Sequence, residues 1–150
     1  LFGVKYRLVD ETDAVPALLG AFTVRLPTGD PERGLGPEDA DVGLLAVASK
    51  AFDPVTLTGN VGYTFVTRER DLDFWTLAAS IEGRMSRAWT LVGEAVSAVG
   101  AHSAVRTVVL RVGSIYAITD RVKLDGAVGF GVTRESPDVV ITVGVTIGLF

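Results

Sequence analysis

The sequence predicts an all-β fold, an antiparallel up-and-down transmembrane β-barrel, and three observations predict it. Apolar residues recur with a period of two along most of the chain, the spacing that sends alternate side chains to opposite faces of a strand. Hydrophobic residues make up 48% of the chain and charged residues 21%, with a mean hydropathy of +0.39. No run approaches the roughly 18 consecutive apolar residues of a spanning helix. A barrel whose strands turn one face to lipid is apolar on average without any apolar block. The strands read from the pattern are also long, about nine to thirteen residues, against about five to six in most globular proteins. That length matches the roughly 9–11 tilted residues that cross a bilayer.

The elements follow in order. In FGVKYRLV, Phe2, Val4, Tyr6 and Leu8 alternate with Gly3, Lys5 and Arg7. A second strand falls near residues 15–26, where Phe22, Val24 and Leu26 oppose Thr23 and Arg25. PTGDPERGLGPEDAD, residues 27–41, reads as a long polar loop rich in Pro, Gly and acid. A short strand at 42–50 ends in the turn AFDP. The next strand sets Val55, Leu57, Val61, Tyr63 and Phe65 against Thr56, Thr58, Asn60 and Thr64.

After the charged loop TRERD, a strand over about 72–85 places Trp75, Leu77, Ala79 and Ile81 opposite Thr76, Ser80, Glu82 and Arg84. SRA is a tight turn. Residues 89–99 carry Trp89 and Leu91 opposite Glu94. GAHSA leads into 105–118, where Val108, Leu110, Val112, Tyr116 and Ile118 oppose Thr107 and Arg111. Beyond ITDR, Val122, Leu124, Val128, Phe130 and Val132 oppose Lys123 and Asp125. RESPD precedes a last strand, VVITVGVTIGLF, which carries no charge and is expected to run to Phe150. Nine strands result, in one domain over 1–150, and no segment carries a helical period of useful length.

Composition narrows the function. Cysteine is absent, which excludes disulfides, thiolate chemistry and cysteine-ligated metal. The net charge of −4 and pI near 4.9 argue against a nucleic-acid partner. The chain opens LFGVKYRLVD, without Met or a basic-then-apolar leader. The longer or more charged connections, 27–41, 67–71, 100–104 and 134–138, alternate with tighter ones near 9–14, 51–54, 86–88 and 119–121. Long loops outside and short turns inside characterise outer-membrane barrels. Counting back from a periplasmic C-terminus puts Leu1 at the outer end of its strand. A complete barrel has an even strand count, so the expectation is an N-terminally truncated fragment lacking at least one strand and a leader.

Short motifs add a resemblance. Thr119-Asp120-Arg121 forms a turn, Leu124-Asp125 with Gly129 and Gly131 forms a strand, and Ser136-Pro137-Asp138 forms a loop before the final strand. Upstream, FTVRLPTGD at 22–30 runs from a strand into a loop, and Glu94 sits in LVGEAVSA. Together these resemble the outer-membrane transporter family named for the meta-cleavage pathway of phenol degradation, over most of the chain. The resemblance implies a barrel that passes small, hydrophobic or aromatic molecules across the outer membrane of a Gram-negative bacterium. One feature departs from the usual barrel terminus. Val139, Ile141, Val143, Val145, Ile147 and Leu149 share one phase and Phe150 has the other, which a bulge near the end would correct.

The inward phase carries Lys5, Arg7, Arg25, Glu82, Arg84, Glu94, Arg111, Lys123 and Asp125. These nine are the candidate pore lining, where charge sets selectivity. The competing reading is a static ion-pair network that fills a narrow lumen, since barrels of about eight strands are just filled by side chains. Trp75, Trp89, Tyr6, Tyr63, Phe65 and Tyr116 fall near strand ends or on the outward face, as an aromatic girdle would. Ordinary sheet packing is the alternative.

The loop acids Asp30, Glu32, Glu38, Asp39 and Asp41 are solvated or bind divalent cations. His102 is the sole histidine and stands in a polar loop, where no nucleophile or base is spaced to use it. The loop PTGDPERGLG lacks the Lys-Ser/Thr of a phosphate-binding loop and no helix follows it. The expectation is therefore no enzyme, no catalytic or metal site and no cofactor. The expected partners are outer-membrane lipid, the barrel-insertion machinery and a small-molecule solute. Two other functions fit the alternation: a structural outer-membrane barrel with a filled lumen, and a soluble lipocalin-like or β-sandwich binding protein.

Overall fold

The computed structural model describes residues 2–27, 40–67 and 69–149. They form one nine-stranded antiparallel sheet in which each strand pairs with its sequence neighbours. The strands are β1 (Phe2–Val9), β2 (Ala17–Arg25), β3 (Asp41–Phe52), β4 (Val55–Val66), β5 (Phe74–Arg84), β6 (Trp89–Gly100), β7 (Arg106–Ala117), β8 (Val122–Gly131) and β9 (Val139–Ile147). This is the predicted all-β, up-and-down order, with the predicted count. Among the described residues β1 pairs only with β2 and β9 only with β8, so both are sheet edges.

Boundaries differ from expectation in places. β3 runs to Phe52, leaving Asp53 and Pro54 as the turn. A 3-10 turn at Arg70–Leu72 precedes β5, where the sequence reads as strand from about 72. Its helical bonds run from the Leu72 N–H to the Glu69 carbonyl at 3.0 Å and from Asp73 to Arg70 at 3.1 Å. One local turn of this kind leaves no apolar period to detect. β9 stops at Ile147, short of the end expected for the last strand, although the Gly148 N–H still meets the Arg121 carbonyl at 2.8 Å, the next position in the β8–β9 register. Phe150 and most of the 27–41 loop lie outside the described residues.

Register fixes the two faces. Directly opposed residues share a face, and one continuous set runs from Phe2, Val24 and Val42 through Tyr63, Trp75, Ala95, Leu110 and Val128 to Ile141. Among the described strand residues the charges on this face are Lys50 and Arg106, each at or near a strand end. The face is nevertheless the exposed one: Val112 and Ile141 are 72% exposed and Val143 85%. Val109, on the opposite face, is the one buried hydrophobic residue among those described, at 8%. A water-soluble sheet hides its apolar face and wets the other. Here the arrangement is inverted.

Candidate functional site

All nine charged residues expected to line a pore lie on the second, more enclosed face. Lys5 and Arg7 stand on β1 opposite Ala21 and Leu19. Arg25 closes β2 opposite Asp41. Glu82 and Arg84 lie on β5 opposite Val92 and Thr90. Glu94 faces Arg111 across β6 and β7. Lys123 and Asp125 stand on β8 opposite Thr146 and Gly144.

The structure brings some of them together and leaves others apart. Arginine–carboxylate pairs stand at three levels. At the loop end Arg25 donates to Asp41, from Nε at 2.8 Å and from Nη2. At mid-strand Arg111 Nη1 meets Glu94 Oε2 at 3.1 Å, both side chains about one-third exposed. At the turn end Arg84 pairs with Asp53. Arg7 pairs only locally with Asp10 at 3.3 Å, both exposed, a contact worth about 0–1 kcal/mol. Among the described residues Lys5, Glu82, Lys123 and Asp125 make no ion pair. Asp125 lies across Gly144, where an added Cβ would come within 2.6 Å of both carboxylate oxygens.

The middle pair belongs to a polar row. Ser49, Thr58, Ser80, Glu94 and Arg111 stand directly opposite one another across β3 to β7. The Ser49 and Thr58 hydroxyls hydrogen-bond at 2.9 Å. Gly129 follows in the row, and its missing side chain leaves room for the Arg111 stem: a Cβ there would lie 2.8 Å from Arg111 Cγ. One row away, Asn60 Oδ1 is buried with no partner among the described residues, as is Arg111 Nε.

Sequence reasoning missed the partners. Asp41 reads as a solvated loop acid, but it is 5% exposed and opens β3 beneath Arg25, which corrects that expectation. Asp30, Glu32, Glu38 and Asp39 lie outside the described residues. Asp53 sits in a turn, where an acidic residue gives no sign of its partner. His102 is exposed in its loop. Among the described residues no three His, Asp or Glu side chains gather as metal ligands, and no helix is long and apolar enough to cross a membrane.

The aromatic residues gather at both ends of the apolar face. At the loop end Tyr63 meets Phe65 and Trp75 edge-on, with centroids 4.6 and 4.8 Å apart. Arg70 lies 5.1 Å from the Phe65 ring centre. Asp73, fully buried, ties this corner together. It accepts the Val66 N–H at 2.7 Å and the Tyr63 hydroxyl at 3.0 Å, and pairs with Arg70 Nε at 3.0 Å. Burial pushes the Asp73 carboxyl up, but these donors and the charges of Arg70 and His102 outweigh it and hold it below the usual range. At the turn end Trp89 stands opposite Tyr116, and its indole N–H donates to Ser114 at 2.8 Å.

The turn end has its own staple. Glu11 accepts the Ala51 N–H at 2.9 Å and approaches Lys50 Nζ at 3.4 Å. The Ala51 bond, helped by Lys50 against partial burial, holds the Glu11 carboxyl low.

Recesses occur on both faces. One of about 590 Å³ lies over Ala46, Ala48, Gly59, Ala79 and Ala95. Those small side chains leave a shallow trough in the apolar face, with no charged group in it. The charged face holds recesses at each end. One of about 390 Å³ is lined by Thr56, Glu82, Arg84 and Thr90 at the turn end. Two of about 250 and 260 Å³ adjoin Phe74 at the loop end.

The model of a family described as "Putative MetA-pathway of phenol degradation" matches residues 1–148, nearly the whole chain. No curated protein matches it.

Proposed function

This chain belongs to that phenol-degradation family, and we propose that it is an outer-membrane β-barrel that passes small molecules along its charged face. One observation carries the reading: an exposed, unbroken apolar face spans all nine strands and backs onto a face bearing every mid-strand charge. Water makes that arrangement costly at about 25 cal/mol per Å² of apolar surface. Lipid removes the cost. The dimensions agree. Ten residues of β6 separate Trp89 from Val99, the residue opposite Trp75. At about 3.3 Å per residue and a tilt of about 35–45°, the two aromatic levels stand about 25 Å apart, the height of an outer-membrane apolar band.

The sheet edges support closure, since unpaired backbone groups are untenable in lipid. β1 and β9 run in the same direction, so an even, fully antiparallel barrel needs one more strand between them. The partners of such a protein are lipid, the insertion machinery and a small, hydrophobic or aromatic solute, and passage needs no covalent chemistry. A filled structural barrel is the second reading. The half-buried Glu94–Arg111 pair favours it, because a fixed pair at mid-lumen obstructs flow.

The test is refolding with and without micelles, followed by planar-bilayer recording. Detergent-dependent β-structure with stepwise conductance is expected. A compact, soluble monomer in plain buffer overturns the membrane reading. Detergent dependence without conductance selects the filled barrel.

A further inference from the structure

Glu82 is the odd charge in its part of the charged face. Arg84, two residues on, is taken by Asp53, and Glu94, diagonally across on β6, is taken by Arg111. Both pairs are neutral. Glu82 stands between them and makes no ion pair among the described residues. Thr56 is directly opposite it on β4, and Thr90 lies diagonally across on β6, opposite Arg84. Direct and diagonal neighbours of this kind have Cβ atoms about 5 and about 7–8 Å apart, so one small group reaches all three side chains. The three line a single recess of about 390 Å³ at the turn end. One wall is the turn between β3 and β4, which Arg84 clips to β5. The Arg84 N–H donates to the Pro54 carbonyl at 2.9 Å, and its guanidinium donates to Asp53. Ala51 and Pro54 make the apolar part of the lining.

We propose that this recess binds a small primary amine in its ammonium form. An alkylammonium, like that of lysine, keeps its charge at neutral pH. Its three N–H donors find an anionic acceptor in Glu82 and hydroxyl acceptors in Thr56 and Thr90. Ala51 and Pro54 take the hydrocarbon stem. The recess lies at the small end of the about 300–1,000 Å³ of ligand sites, so the stem is short. An anion is repelled by the uncompensated carboxylate, and Arg84 does not draw it in because Asp53 already holds its guanidinium. A neutral alcohol forgoes the charge-assisted bond to Glu82, which is roughly twice as strong as a neutral one. The site stands on this geometry and not on the channel reading, to which it adds a cationic solute held at the turn end.

The test is titration of the micelle-refolded protein at neutral pH with butylamine, with 1-butanol as the uncharged control and potassium chloride as the simple cation. Butylamine is expected to give saturable shifts of the Ala51, Thr56 and Thr90 methyl NMR signals and to leave Thr64, at the far end of the same face, unmoved. 1-Butanol is expected to give no saturable shift. Glu82→Gln keeps the size of the side chain and removes its charge, and is expected to weaken butylamine about tenfold or more, the worth of a hydrogen bond to a charged group. Butylamine binding to Glu82→Gln within twofold of wild type overturns the site, as do equal shifts at Thr56 and Thr64. Potassium chloride giving the same shifts at the same concentration shows a diffuse counter-ion and also overturns it. Should Glu82→Gln fail to refold, the contrast between butylamine and 1-butanol on the wild type decides alone. Bilayer conductance with no butylamine shift at Thr56 and Thr90 rejects the site and keeps the channel. Site-specific shifts without conductance reject the channel and keep the site.

Discussion

Glu94 and Arg111 stand directly opposite each other on β6 and β7, with carboxylate and guanidinium 3.1 Å apart at the middle of the charged face. Each is about one-third exposed, between a surface pair and a buried one. A double-mutant cycle with Glu94→Ala and Arg111→Ala, read by urea unfolding in micelles, should return a coupling on the order of 1 kcal/mol. The same variants separate the two roles of the pair. In an open channel either single change alters ion selectivity with little change in conductance. In a filled barrel the double variant raises conductance from nothing.

Gly129 sets the position of that pair. A Cβ there meets Arg111 Cγ at 2.8 Å and Val109 Cγ1 at 3.0 Å. Val109 is the most enclosed apolar side chain among the described residues and has little room to yield. Gly129→Val is expected to cost about 1–3 kcal/mol by overpacking and to displace Arg111 from Glu94. Urea midpoints check the first, and the coupling of the Glu94–Arg111 cycle, remeasured in the Gly129→Val background, checks the second. An unchanged coupling would show that Arg111 reaches Glu94 without the space Gly129 leaves.

Acid should loosen both ends of the sheet before it melts the strands. Asp73 at the loop end and Glu11 at the turn end are held below their ordinary values of 3.8 and 4.5. A carboxyl whose pKa is lower folded than unfolded binds protons more readily in the unfolded chain. Its contribution is complete above the ordinary value and drains away as pH falls through the folded one. Amides held by these corners, Val66 and Ala51, should therefore lose hydrogen-exchange protection below about pH 4 while the β circular dichroism persists. Asp73→Asn should remove the acid transition at Val66 and leave that at Ala51. If both amides stay protected at low pH, these carboxylates do not hold the ends.

The face of all nine candidate lining residues was legible in the sequence because a period of two is written residue by residue. Lys5, Glu94 and Asp125 take the same side simply by counting from their strand's apolar positions. What alternation does not encode is who meets whom. Arg25 pairs with Asp41 only because β2 and β3 align at that position, and register comes from long-range pairing across a loop. The 3-10 turn at Arg70–Leu72 was invisible for a related reason: its stability comes from Asp73 reaching back to Val66 and Tyr63, not from a local propensity. Phe74 reads as one more alternating residue, since the recesses beside it are made by Gly100, Thr23 and Val105 on other segments.

Val112 gives the sharpest test of what the apolar face meets. It lies at the middle of β7, is 72% exposed, and stands between Gly93 and Val128 on neighbouring strands. If that face meets water, Val112→Arg replaces one exposed side chain with a better-solvated one, and stability moves by no more than about 0.5 kcal/mol. If it meets the bilayer midplane, the guanidinium must be dragged into hydrocarbon, at about 2–4 kcal/mol for an arginine in an outer-membrane barrel. Arg106 shares the face but sits at the end of its strand, where the same charge costs about 0–1 kcal/mol. A large loss at 112, measured by urea unfolding in lipid vesicles, together with near-neutrality of Arg106→Val, is expected. Equal and small effects at both positions would place the whole face in water.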